Sequence, residues 1–71
     1  MTPKKFFSHN NEEVCARVAR IAGTTLANFR HIALYKGACS KALAKRLAEA
    51  SEGSMTRDEI LFPEDYEDSA A

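Results

Sequence analysis

The sequence predicts an all-α fold of five short helices, and three features of its 71 residues lead to this prediction. Apolar residues recur at spacings of three and four, the period of an amphipathic helix, and no segment alternates as a strand would. A residue that favours helix N-caps, usually Ser, Thr or Asn, precedes each periodic segment. A helix-ending residue follows most of these segments, namely Gly23, Gly37, Gly53 or Pro63. Because so short a chain buries only a modest core, we expect a single small domain without internal repeats.

Charge is unevenly distributed, although the formal net charge is zero. Residues 1–50 carry nine Lys or Arg and three Asp or Glu, whereas residues 51–71 carry one Arg and seven acids. A basic body of this kind favours a polyanionic partner. We expect residues 1–63 to form the domain and residues 64–71 to form an acidic, disordered tail.

Several classes of protein are not expected. No apolar run reaches the roughly 18 residues of a membrane-spanning helix, and no apolar segment follows Lys4 and Lys5 as it would in a signal peptide. Cys15 and Cys39 fit neither a CxxC pair nor a set of metal ligands. We therefore expect buried, reduced thiols in a cytoplasmic protein.

Catalytic, metal and cofactor sites are not expected either. His9 and His31 have no partners at the spacing of metal ligands, and no Ser, His and Asp constellation is visible. The three glycines form no phosphate-binding loop, and most acids lie in the tail. The sequence thus predicts that the protein is not an enzyme and needs no cofactor.

The first predicted helix covers residues 4–8. Thr2 is a favourable cap for it, and Pro3 suits its first turn. We expect at least one of Phe6 and Phe7 to enter the core.

The second predicted helix covers residues 12–22, with Asn10 or Asn11 as its cap and two acids in its first turn. Its buried stripe is predicted to comprise Val14, Val18, Ile21 and Ala22. Arg17 and Arg20 lie off this stripe, where they either contact phosphates or are simply solvated.

A tight turn and a third helix over residues 25–35 are predicted next. Gly23 accepts the positive φ of the turn, and Thr25 is a better cap than Thr24. Ala19 allows close contact between the two helices, while Phe29 and Ile32 bury one face of the second of them. This spacing is typical of a DNA-binding helix-turn-helix, although an ordinary helical hairpin with a glycine turn remains an alternative.

Two further helices complete the prediction. Gly37 ends the third helix, and Ser40 caps a fourth over residues 41–51, which Gly53 ends. The inner face of this fourth helix is predicted to comprise Leu43, Ala44, Leu47, Ala48 and Ser51. Thr56 and Glu59 have the spacing of a capping box for a last short helix through Ile60 and Leu61, which Pro63 stops.

The outward face of the third helix is the candidate base-reading surface. It combines small, polar, cationic and apolar groups without any acid, which is unusual for a merely solvated face. Arg can contact guanine with two hydrogen bonds, Asn can contact adenine, and an apolar side chain can meet a thymine methyl group. The residues predicted to face bases are Thr25, Ala27, Asn28, Arg30, His31 and Leu34. Leu26 is expected to lie in the core instead.

A second set of residues is predicted to contact phosphates, which fixes the position of a protein on DNA but does not read sequence. Lys36 follows the third helix, and Ser40 and Lys41 open the fourth, where free backbone N–H groups favour an anion. The full set is Arg17, Arg20, Lys36, Ser40 and Lys41. Lys45 and Arg46, one turn further along, are expected to be solvated.

The segment from Ala22 to Ile60 resembles the Cro and phage-repressor class of helix-turn-helix proteins, especially the small YdaS-like Cro-type transcriptional regulators. The similarity lies in the Gly-Thr turn, the apolar pair Phe29 and Ile32, the glycines at 37 and 53, Ser40, and the Thr-Arg-x-Glu segment from Thr56. The resemblance implies a lambda-repressor-like domain that binds double-stranded operator DNA, usually as a two-fold homodimer, in a phage or bacterium. It also implies that the base-facing residues (apart from Asn28) and the contacts at 36, 40 and 41 occupy the family's DNA-binding positions.

The sequence therefore predicts a sequence-specific DNA-binding regulator, most simply a Cro-like repressor. The alternative is a protein-interaction module, antitoxin-like or anti-repressor, that uses Ile60, Leu61 and Phe62 on the same scaffold. Salt discriminates between these two functions, because each phosphate contact contributes about −0.9 to the log–log slope of affinity against salt concentration.

Overall fold

The computed structural model describes residues 1–35 and 39–66, which form five α-helices and no strand. The all-α prediction is confirmed. The helices are α1 (Pro3–His9), α2 (Glu12–Ile21), α3 (Leu26–Tyr35), α4 (Lys41–Ala50) and α5 (Arg57–Leu61), and a single 3₁₀ turn follows at Pro63–Asp65. Within the described ranges, no helix has the length and apolar character needed to cross a membrane.

Side chains cap the helices where the sequence predicts caps. The hydroxyl of Thr2 accepts from the Lys5 N–H at the start of α1, and Asn11, rather than Asn10, caps α2. The hydroxyl of Ser40 accepts from the Leu43 N–H at 3.1 Å. Thr56 and Glu59 form the predicted capping box of α5, so that local sequence alone fixes where these helices begin.

The core is built around Phe29, which is fully buried on α3. The rings of Phe6 and Phe7 lie 6.1 and 4.7 Å from that of Phe29, the second in an edge-on arrangement. Helix α1 thus packs on α3, while α2 packs on both α3 and α4, and α4 packs on α5. The core cluster comprises Phe6, Cys15, Val18, Ala19, Ala22, Phe29, Ile32, Ala44, Leu47, Met55 and Ile60.

The buried face of α2 differs from the predicted one. Val18 and Ala22 are buried as expected, but Ile21 is 63% exposed and Val14 is only half-buried. The buried stripe is instead Cys15, Val18, Ala19 and Ala22. Cys15 and Ala19 replace Val14 and Ile21 on the inner face, so Ile21 is turned outwards.

The end of α4 also differs from the prediction. The helix stops at Ala50 with Ser51 as its cap, so the left-handed residue that follows the cap is Glu52, at φ 56°, and not Gly53. The N–H groups of Glu52 and Gly53 donate to the carbonyls of Glu49 and Ala48, which is a Schellman motif. Gly53 then takes a second positive φ of 85°.

The connection between α4 and α5 is fixed by two residues. The hydroxyl of Ser51 donates to the Ala48 carbonyl at 2.9 Å and accepts from the Met55 N–H at 3.0 Å. This contact holds the fully buried Met55 in the core, a role that helical periodicity does not indicate because Met55 lies between helices.

The segment after α5 begins with a 3₁₀ turn rather than with the predicted disordered tail. Phe62 is the C-cap of α5, and Glu64 and Asp65, which the sequence pattern assigns to the tail, belong to this turn. The rest of the predicted tail, residues 67–71, lies outside the described residues, as do Lys36 and the predicted helix end at Gly37.

Candidate nucleic-acid interface

The turn between α2 and α3 is a complete Schellman motif centred on Gly23. Gly23 has a φ of 84°, as the sequence predicts. Its N–H donates to the Arg20 carbonyl at 3.0 Å, and the Thr24 N–H donates to the Ala19 carbonyl at 2.9 Å. These bonds satisfy two of the carbonyls that the end of α2 leaves open, and they define the direction in which the chain enters α3.

The start of α3 is fixed by side chains that the sequence assigns to base reading. The Thr25 hydroxyl accepts from the Asn28 N–H at 3.1 Å, so Thr25 is the cap, as predicted. The Asn28 side-chain amide donates to the Thr24 hydroxyl at 2.9 Å. A two-bond contact between Asn28 and adenine would require this amide to release Thr24 or use its second hydrogen.

All six predicted base-facing side chains are exposed. By contrast, Phe29, Ile32 and Ala33 of α3 are buried, and Leu26 is half-buried against the core. Near the C-terminal end of α3, Leu34 is 44% exposed and the ring of His31 lies 5.7 Å from that of Tyr35. The exposed face of α3 therefore mixes polar, cationic and apolar groups, with no acidic side chain on the helix.

The described phosphate candidates are exposed as well. Among residues 1–35 and 39–66, no acid lies within ion-pairing distance of Arg17, Arg20, Arg30 or Lys41. Their charges are therefore not neutralised by contact with neighbouring carboxylates. The Ser40 hydroxyl accepts a hydrogen bond as the cap of α4. An anion at this helix end would therefore be bound mainly by the free backbone N–H groups of the first turn.

Arg30 lies close enough to α2 for its charge to act on Cys15. Burial raises the pKa of the Cys15 thiol, and the positive charge of Arg30 opposes this shift only in part. Burial also raises the pKa of Cys39. Both cysteines are free, Cys15 is buried as expected, and Cys39 is only half-buried. Thiols with a raised pKa are poor nucleophiles at neutral pH.

One contact at the turn is not predicted by the sequence. Arg46, expected to be solvated, donates from Nε to the Ala22 carbonyl at 2.8 Å. The partners are 24 residues apart, and local periodicity carries no signal for such a contact. An Arg opposite the C-terminal end of a helix is electrostatically favourable, which explains the arrangement after the fact.

No cluster of three or more His, Cys, Asp or Glu residues in the described ranges has the geometry of a metal site. Neither a family model, nor a curated protein, nor a solved structure matches this chain, so support for any function comes from the geometry of α3 and its turn.

Proposed function

We propose that this protein binds double-stranded DNA sequence-specifically and regulates transcription as a Cro-like repressor, with α3 in the major groove. The observation that carries the proposal is the combination of a Schellman turn at Gly23 with an acid-free helix, since the six predicted base-facing side chains, Thr25 at its cap and five on the helix, are all exposed. An α-helix of this kind fits the major groove, where each base pair has a distinct pattern of donors and acceptors.

The charges around α3 support the same proposal. Arg17 and Arg20 on α2 and Lys41 on α4 are exposed and have no carboxylate partners among the described residues. In this proposal these groups contact phosphates and fix the position of α3, while Arg30 and His31 contact base edges. We further propose that the protein is of bacterial or phage origin, acts in the cytoplasm and binds a two-fold operator as a homodimer.

Two of the three residues expected to form the interface of a protein-interaction module are not fully available for contact. Ile60 is only 3% exposed and belongs to the core, and Leu61 is half-buried, so an interface there would depend mainly on Phe62, which is 56% exposed. Single exposed apolar residues are normal on protein surfaces. This observation favours the DNA-binding proposal over the alternative.

The test is selection of bound duplexes from a random DNA pool, followed by affinity measurements on a selected and a random duplex. The proposal predicts a recurrent sequence, a clear preference for the selected duplex, and a steep loss of affinity as salt rises. Failure to enrich any sequence, together with salt-insensitive binding to a protein partner, would favour the alternative.

A further inference from the structure

Arg46 connects α4 to the turn that leads into α3. Its Nε lies 2.8 Å from the carbonyl oxygen of Ala22, the residue that caps α2. The Schellman hydrogen bonds use the carbonyls of Ala19 and Arg20 and leave that of Ala22 to another donor. Arg46 supplies that donor from a helix that is separate from the helix-turn-helix.

The core anchors the backbone that carries Arg46, and the side chain of Arg46 lies close to the turn. Ala44 and Leu47, which flank Arg46 on α4, are fully buried, so the backbone that carries Arg46 is anchored in the core. A Cβ atom placed on Gly23 would lie 4.0 Å from the Arg46 Nε, so this side chain lies directly over the turn. A displacement of Ala22 would therefore break a charge-assisted hydrogen bond.

We infer that Arg46 is a positioning residue that holds the turn and so sets the orientation of the exposed face of α3. This inference rests on the proposed function, because orientation matters for discrimination between DNA sequences. Base contacts require side chains within hydrogen-bond distance, whereas non-specific binding depends mainly on charge. Loss of the hydrogen bond from Arg46 to Ala22, called the brace below, should thus reduce the preference for the selected duplex over a random one.

Two substitutions separate the hydrogen bond from the charge. Arg46→Gln places an amide nitrogen at the same number of bonds from Cα as the Arg Nε, and so keeps a donor without the charge. Arg46→Met has similar length but has no donor. Lys45→Met is the matched control, since it removes one charge from the neighbouring position of α4, where Lys45 borders Thr56, Arg57 and Asp58 at the start of α5.

The first measurement is the ratio of affinities for the selected and the random duplex. We expect Arg46→Met to lower this ratio roughly five- to tenfold, as expected for one lost hydrogen bond. Arg46→Gln should stay within about twofold of the wild type, and Lys45→Met should weaken both duplexes alike. Equal losses of the ratio in Arg46→Gln and Arg46→Met would overturn the inference, because charge alone would then explain the effect.

The second measurement does not involve DNA. Hydrogen exchange of the Gly23 and Thr24 amides should be faster in Arg46→Met than in Arg46→Gln, relative to the Phe6 amide of α1. Faster exchange with an unchanged affinity ratio would overturn the inference, since the contact would then be purely structural. A wild-type chain with no sequence preference would contradict the proposed function. The exchange comparison would then still test whether Arg46 holds the turn, and equal exchange in Arg46→Met and Arg46→Gln would show that it does not.

Discussion

Two residues with positive φ determine where α2 and α4 end, and they differ in what the conformation costs. Gly23 has no Cβ and adopts a φ of 84° without steric conflict. Glu52 adopts a φ of 56° with a full side chain, a conformation that costs roughly 1–2 kcal/mol for a residue other than Gly. The sequence pattern identifies the first position correctly, but it places the second one residue too late.

Glu52→Gly should therefore stabilise the protein. We expect an increase of about 1 kcal/mol in the free energy of unfolding, because glycine has no Cβ to crowd the following carbonyl oxygen in the left-handed conformation. Urea unfolding measures this change. Glu52→Ala is the control, since it removes the carboxylate but keeps the Cβ. A gain in Glu52→Ala equal to that in Glu52→Gly would show that charge, rather than backbone strain, is responsible.

Gly23→Val should have the opposite effect. A Cβ at Gly23 would meet nothing closer than the Arg46 Nε at 4.0 Å, so the cost arises from the backbone conformation and not from a clash. We expect a loss of roughly 1–3 kcal/mol in the free energy of unfolding. Gly23→Asn should lose less, because Asn tolerates the left-handed region. An unchanged melting temperature in Gly23→Val would contradict the observed turn.

At the scale of the helices, α5 is the shortest and depends on an electrostatic network at its N-terminus. The carboxylate of Glu59 accepts from the Met1 ammonium group at 3.0 Å, from the Thr56 N–H at 3.0 Å and from the Thr56 hydroxyl at 3.1 Å. Burial acts to raise the pKa of this carboxyl, but the ammonium and the Thr56 donors together outweigh it and hold the pKa below its usual value of 4.5.

A lowered pKa in the folded state links the stability of α5 to pH. The contribution of Glu59 is fully present above the unfolded pKa of 4.5 and is lost as pH falls through the lower folded value. Urea midpoints measured as pH falls from about 5 should drop more for the wild type than for Glu59→Gln, which keeps an oxygen acceptor but does not titrate.

Glu49→Gln provides the control for this prediction. Glu49 is exposed, and its side chain makes no hydrogen bond or ion pair with the described residues. Its pH profile should run parallel to that of the wild type. Parallel profiles for Glu59→Gln and the wild type would mean that the network at α5 contributes nothing that depends on pH.

At the scale of the whole molecule, local signals in the sequence account for the elements but not for contacts between them. Caps and glycine turns involve residues within a few positions, which is why Thr25, Ser40 and Gly23 are predicted correctly. The exposure of Ile21 depends on which residues beside Val18 and Ala22 face the core, which tertiary packing decides. Arg46 and Ala22 meet only because α4 folds against α2.

The candidate interface shows the same division. The exposed face of α3 follows from the burial of Phe29 and Ile32, which the sequence predicts, so the exposure of the six predicted base-facing side chains follows from the sequence pattern, whereas their role in reading bases stays a prediction. The hydrogen bond from Asn28 to Thr24 is local but depends on side-chain rotamers at the turn. The brace from Arg46 is long-range, so the orientation of the interface is the part that sequence patterns do not provide.

Base reading by α3 and phosphate contact by exposed cations are tested most directly by a comparison of Arg30→Ala with Lys41→Ala on a selected and a random duplex. Arg30→Ala should cost about 1–3 kcal/mol on the selected duplex and relax the preference at one base position. Lys41→Ala should weaken both duplexes alike and reduce the salt slope by about one unit. Identical behaviour of the two variants on both duplexes would contradict these two roles.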